Sequence, residues 1–364
     1  MSLALADGNH SSRYVQTNLV SDVPGLAAVT DANLVNPWGL SRSATSPWWV
    51  SDNGTGRSTL YNGAGAAQAL VVTVPNTPGA TDPSAPTGTV FNGSPTDFMI
   101  APGTPGRFLF ATENGTIAAW SGGTDAVLMV NNGGAAVYKG LTIGQRNGAN
   151  FLYAANFMTG RVDVFDASYA PVQLGAGAFH DPRLPANYAP FNVQSVGDMI
   201  IVAFAQTEAG SIDEVHGPGK GRVDIFSTDG ALRKRLEWGA WFNAPWGVVL
   251  APDGFGRLSH RLLVGQFGSG KIAVFDPRSG RFLGLVRTAH GRPLAIEGLW
   301  ALSFGNGANA GPANTLFFTA GIDDEGHGLF GTITPAPDND HGPMGDKDGD
   351  DGDNDKGADQ PGGN

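Results

Sequence analysis

A unit of two apolar strands followed by a "GRVDVF"-type strand recurs along this chain, and it narrows the possible folds more than any other feature. The first unit is "NPWGLSRSATSPWWVSDN" with "STLYNG", the third "YKGLTIGQRNGANFLYAANFMTGRVDVFD", and the fifth "APWGVVLAPDGFGRLSHRLLVGQFGSGKIAVFD". Starting points near Asn36, Pro95, Tyr138, Phe191, Asn243 and Ile296 give a mean period of about 52 residues, within the range of propeller blades. A fourth, weaker strand follows in five units, such as "ALVVTVP" and "RFLGLVR". The sixth unit stops after its third strand, and the N-terminal "YVQTNLVSD" (Tyr14 to Asp22) is the expected partner. A ring closed in this way leaves no large open edge. The predicted fold is therefore all-β, a six-bladed β-propeller of four-stranded blades closed by the N-terminal strand. A seventh blade would need a unit that the sequence does not show.

Composition agrees. The 364 residues include 54 glycines and 24 prolines, and only 15% are charged, the profile of short strands joined by tight turns. Residues 1–13 are expected to form a flexible N-terminus, 14–335 the propeller, and 336–364 a disordered acidic tail. The tail's aspartates invite a calcium-loop reading. From Asp346, however, Asp351 stands where an EF-hand needs glycine and Gly357 where it needs glutamate, so that template fails. The net charge of -11 argues against nucleic acid or an anionic membrane as partner. No apolar run is long enough to span a membrane. Cysteine is absent, which excludes disulfides and thiolate metal sites. The start, "MSLALADGNHSS", lacks the regions of a complete signal peptide and reads as the trimmed start of an exported domain, expected to be a monomer.

Propeller topology turns linear position into place. Each first strand leaves one face near the axis and the second returns to it; we call this the upper face. Strand-one starts then put Asn36, Asp97, Lys139, Asn192, Asn243 and Glu297 around the channel mouth. With Asp324, these amides and carboxylates are hard oxygen ligands suited to calcium or magnesium. Lys139 would either take the ion's place or pair with Asp97. Just inside, Trp38, Phe98, Leu141, Gln194, Trp246 and Trp300 would plug the axis or, for Trp38, Trp246, Trp300 and Gln194, line a ligand site. Second-strand ends Asp52, Glu113, Asn156, Gln206 and Gln266 belong to the same face, where such residues also cap hairpin turns.

Two short strings draw the histidines in. "DEVHG" (213–217) and "DEGHG" (324–328) both follow second strands, in blades four and six. His216 and His327 are the candidate bases, with Glu214 and Glu325 as their carboxylate partners. Imidazole also brings zinc into consideration. His180 and His290 fall on the same face, where anchoring their own loops is the simpler role, and His260 falls on a lower-face turn.

Several motifs carry a resemblance. "NLVSDVPGLA", "NPWGL", "YAPFNVQ", "DEVHGPGKGRVD", "NAPWGV" and "HGLFG" resemble a family of secreted bacterial proteins known only as conserved hypothetical proteins, over roughly Tyr14 to Pro335. The resemblance implies export and brings no activity with it. In blade pattern the chain is also similar to NHL-repeat, streptogramin-lyase-like and gluconolactonase-like propellers. The last of these use a ring of glutamate and asparagine around an axial divalent ion, and that likeness implies an ion here.

Three functions fit the residues. One is an exported metal-dependent hydrolase or lyase acting on a small molecule at the upper mouth. The second is a non-catalytic module that binds a glycan, a peptide or a partner protein. The third is a surface protein whose acidic tail collects cations. No G-x-S-x-G elbow or HExxH motif is present.

Overall fold

The computed structural model describes residues 11–337, and apart from one two-stranded hairpin its strands gather into six sheets set around a ring. Blade 1 runs through Pro37–Ser41, Trp48–Asp52, Arg57–Tyr61 and Ala67–Thr73. Blade 2 takes Pro86–Phe91, Phe108–Thr112, Thr116–Trp120 and Val127–Asn131; blade 3 takes Tyr138–Arg146, Ala149–Asn156 and Arg161–Phe165. Blade 4 comprises Tyr188–Val196, Met199–Thr207, Arg222–Ser227 and Leu232–Arg235, and blade 5 Pro245–Leu250, Leu262–Gln266, Ile272–Phe275 and Phe282–Leu285. Blade 6 contains Leu299–Phe304, Leu316–Ile322 and His327–Pro335, completed by the N-terminal strand Tyr14–Ser21. That strand pairs antiparallel with the C-terminal one, from Tyr14 opposite Pro335 to Ser21 opposite Leu329. The six-bladed ring closed by its first strand is the fold the repeat predicts.

Burial explains the sequence of each strand. Second strands are covered on both faces by neighbouring blades, so "WWVSD", "FLFAT" and "LLVGQ" are buried throughout. Fourth strands lie at the rim and are mostly open, as in "AQALVVT". Adjacent blades interlock through aromatics: Trp49 of blade 1 stacks on Phe108 of blade 2 at 4.1 Å. Each such ring withdrawn from water contributes about 1.5–3 kcal/mol.

Two blades depart from the expected strand assignment. The inner strand of blade 2 is Pro86–Phe91, whereas "DFMIAPGTP" forms a small hairpin, Met99–Ala101 with Thr104–Pro105, inserted between the first and second strands. Thr87 and Thr89 weaken the apolar signal of the true inner strand "PTGTVF", while the inserted "DFMIAP" carries a stronger one. Blade 3 has three paired strands, and its fourth is reduced to one bridge between Phe165 and Pro171, flanked by hydrogen bonds from Asp166 N–H to Ala170 O and from Val172 N–H to Val164 O. The acidic-tail assignment falls almost wholly outside the described residues. At its first residue the sheet continues one step beyond the expected propeller bounds, with Ala336 N–H donating to Arg13 O at 2.8 Å.

Candidate active site at the upper mouth

Every inner strand breaks register at the same level. The irregular steps fall at Pro37/Leu40, Tyr138/Gly140, Pro190/Asn192, Pro245/Val248 and Leu299/Leu302, and in blade 2 opposite Thr87. A bulge re-aims one side chain, and here the residues released are Trp38, Thr87, Lys139, Phe191, Trp246 and Trp300. In blades 1, 5 and 6 the turn into the bulge uses a left-handed residue, Asn36, Ala244 or Gly298. The aromatic members close the axis. Trp38 stacks on Trp300 at 3.6 Å and meets Trp246 edge-on at 6.1 Å, with Phe191 5.8 Å from Trp300. Trp246 Nε1 donates across the ring to Lys139 O (3.0 Å), and Trp300 Nε1 to Asn36 Oδ1 (3.0 Å).

Lys139 stands on this aromatic floor. Its side chain is 1% exposed, its ammonium lies 5.0 Å from the Trp38 ring centre, and it donates to Glu113 Oε1 at 2.5 Å. Asp213 Oδ1 is 3.7 Å away. A hydrogen-bonded chain runs on from Glu113: Asn53 donates to Glu113 Oε2 (2.9 Å), and Asn36 to Asn53 Oδ1 (3.4 Å) and Glu325 Oε2 (2.7 Å). The mouth thus gathers one cation and four carboxylates, Glu113, Asp213, Glu214 and Glu325, from blades 2, 3, 4 and 6.

Electrostatics follow from that crowding. Burial by itself lowers the Lys139 pKa, but the charges of Glu113, Glu214 and Asp213 outweigh it and hold the ammonium above its usual range. Burial pushes the Glu214 carboxyl up to about 7; Lys139 opposes the shift, and Glu325 and Asp213 add to it. Glu325 is raised as well, by burial first, against the hydrogen bond from Asn36 and with repulsion from Glu113.

The two DE-x-HG loops therefore share one cluster, through Asp213 and Glu214 of the first and Glu325 of the second. Glu214 is carried by a two-residue strand, Glu214–Val215, that pairs antiparallel with the end of the second strand of blade 4, Thr207 opposite Glu214. Glu325 ends a turn in which Asp323, Asp324 and Glu325 all have positive φ, 54°, 51° and 64°, a conformation costing roughly 1 kcal/mol per residue. The histidines face elsewhere. His327 Nδ1 pairs with Asp22 Oδ2 at 2.7 Å while Asp22 Oδ1 accepts the Gly328 N–H, tying the loop to the chain's first strand. His216 is exposed, edge-on to Phe267 at 6.2 Å.

The other expected site residues divide by role. Asp97 is not at this mouth: it precedes the inserted hairpin and accepts from Asn150, next to the turn at the far end of blade 3. Asn192 donates to Trp246 O, and Asn243 Oδ1 receives the Gly217 N–H, so both bind blade to blade. Glu297 and Asp324 are exposed, and Glu297 accepts from the Asp323 N–H. Trp38, Trp246 and Trp300 are buried as the floor, and Gln194 lies below it. Asp52, Asn156 and Gln266 are buried caps on backbone N–H groups. Sequence reasoning missed Asn53 and Asp22; Asn53 occupies the same step after its strand as Glu113. Among the described residues, no group of three or more histidines and carboxylates is spaced to hold a metal ion. With the Lys139 ammonium over the axis, the residues here do not fit an axial ion.

The chain is 31% identical over 329 residues to an uncharacterized protein of Acanthamoeba polyphaga mimivirus, covering 86% of this chain and 78% of the viral one. A second uncharacterized protein of the same virus is 31% identical over 330 residues, with 86% and 84% covered. The chain belongs to their family. No family model matches it. Among solved structures, a streptogramin B lyase aligns with TM-score 0.50 at 12% identity, covering 89% of this chain and 97% of that one. A protein of unknown function from Bacteroides thetaiotaomicron aligns with TM-score 0.53 at 12% identity, covering 88% and 76%. At such identity these likenesses speak for the family's propeller fold alone.

Proposed function

We propose that the upper mouth is an acid–base site for a small molecule, the centre of an exported hydrolase or lyase. The observation that carries this reading is the convergence of Glu214, Glu325, Glu113 and Asp213 on the buried Lys139. A carboxyl titrating at about 7 exchanges a proton in either direction near neutral pH. Lys139 keeps its charge and biases the mouth toward negative charge through its field, while the Asn36 and Asn53 amides hold the flanking carboxylates in orientation. The test is turnover of a panel of lactones, aryl esters and β-eliminable esters at pH 7 by the wild type and by Glu214→Gln. A proton-transfer role predicts a loss of about 100-fold or more with the fold intact. Turnover unchanged in Glu214→Gln would sink the proposal.

A second reading, a binding module, is favoured by two open clefts beside the mouth. They measure about 580 Å³ and 460 Å³ and share Met158 and Ile212, both solvent-exposed apolar side chains. A peptide or glycan laid across that ridge would be lost with Ile212→Asp and kept with Glu214→Gln, the reverse of the catalytic outcome.

A further inference from the structure

Beneath the tryptophan floor, the channel reopens at the opposite face as a cavity of about 170 Å³. The pairing registers place Ser41, Val90, Thr142, Gln194, Val249 and Ser303 at one level of its wall. One step further along the inner strands, the blades present Phe91, Ile143, Ser195, Leu250 and Phe304, none of them charged; blade 1 presents Arg42.

Arg42 is half-buried and lines the cavity. Its Nε donates to Phe304 O at 2.6 Å, and the guanidinium carbon lies 5.6 Å from the Trp48 ring centre. Among the described residues it forms no ion pair with a carboxylate, and its terminal amino groups donate to no protein acceptor. Burial lowers its pKa, with no acidic neighbour to offset the shift. A guanidinium withdrawn from water without a counter-charge is costly, and this one keeps free the pair of donors that grips a carboxylate or phosphate.

A second polar residue borders the same space. Thr89, 8% exposed, lines the cavity, and its Oγ1 is buried with no hydrogen-bond partner. Thr142 Oγ1 accepts the Ser195 N–H at 3.1 Å, which leaves its own proton to donate. We propose that the lower mouth is a binding site for a small oxyanion, a carboxylate or a phosphate, held by the terminal amino groups of Arg42 and the hydroxyls of Thr89 and Thr142. A space of this volume has room for several waters, or for inorganic phosphate or a short dicarboxylate. The site is independent of the acid–base reading of the other mouth.

The experiment titrates the full chain by calorimetry with inorganic phosphate in one arm and succinate in the other, against sodium chloride of matched ionic strength. One saturable site is expected in at least one arm, and the arm that binds tighter identifies the ligand chemistry. Arg42→Gln is expected to weaken it at least about 30-fold, with Arg42→Lys intermediate because the bidentate fork is lost. Thr89→Val, which keeps the shape and removes the hydroxyl, is expected to weaken it about 3- to 10-fold. Heat equal to that of chloride in both arms, or affinity within twofold of wild type in Arg42→Gln, would overturn the proposal. If Arg42→Gln does not fold, unchanged binding by Thr89→Val overturns it instead.

Discussion

The two ends of the axial channel each hold a cation in a place water reaches poorly, and they treat it in opposite ways. At the upper end Lys139 is met by Glu113 and Asp213, with Glu214 and Glu325 close enough to feel its charge. At the lower end Arg42 has a carbonyl and an indole face for company. The first arrangement ties several blades together through one ammonium, so the charge is part of what holds the mouth in shape. The second leaves its charge uncommitted, so little of the structure depends on it.

The contrast is broken or sharpened most directly by removing each cation. Lys139→Met leaves buried carboxylates without their partner and is expected to destabilise the protein by about 3–5 kcal/mol in urea unfolding. Arg42→Met gives up one hydrogen bond and relieves an unpaired charge, and is expected to change stability by less than about 1 kcal/mol. Equal losses would show that the two ends do not differ in this way.

A smaller effect comes from pH. Folding raises the Glu214 pKa from 4.5 to about 7, so the fold favours the protonated carboxyl. Its contribution is complete below about pH 4.5 and is lost as pH rises through 7. Stability should therefore fall across that window, by up to about 1.4 kcal/mol per pH unit. Asp224, raised by burial and by Asp181 to about 8, acts in the same direction. The difference between wild type and Glu214→Gln isolates the mouth, and parallel pH profiles would refute the assignment.

The smallest expected effect is a gain. Asp324 holds a positive φ, is exposed, and lies in the strained turn that delivers Glu325. Asp324→Gly should stabilise the protein by up to about 1 kcal/mol in thermal melts. A loss would mean that the Asp324 side chain supports the turn.

The blades were readable because their period is imposed by geometry: a strand that lies between two neighbours must be apolar along its whole length. The same logic misplaced blade 2, where the inner strand is "PTGTVF" and an apolar insertion imitates the repeat. That slip moved Asp97 to the mouth and Phe98 to the axis. The bulges hid more. A register break is invisible in a linear string, so Lys139, Phe191 and Thr87 took the axial places expected for Leu141, Gln194 and Phe98. The shared site of the two DE-x-HG loops was legible as composition. Which side chains would turn inward was not, because His327 is claimed by Asp22, a residue some three hundred positions away.

The pairing of Tyr14 with Pro335 has a consequence in time. Blade 6 lacks its outer strand until both ends of the propeller exist, so until then the first strand has only the two-residue strand Val29–Thr30 beside it. At 5–20 residues per second, synthesis leaves it waiting on the order of 15–60 s. Ring closure thus waits for the last strand of the propeller to be made.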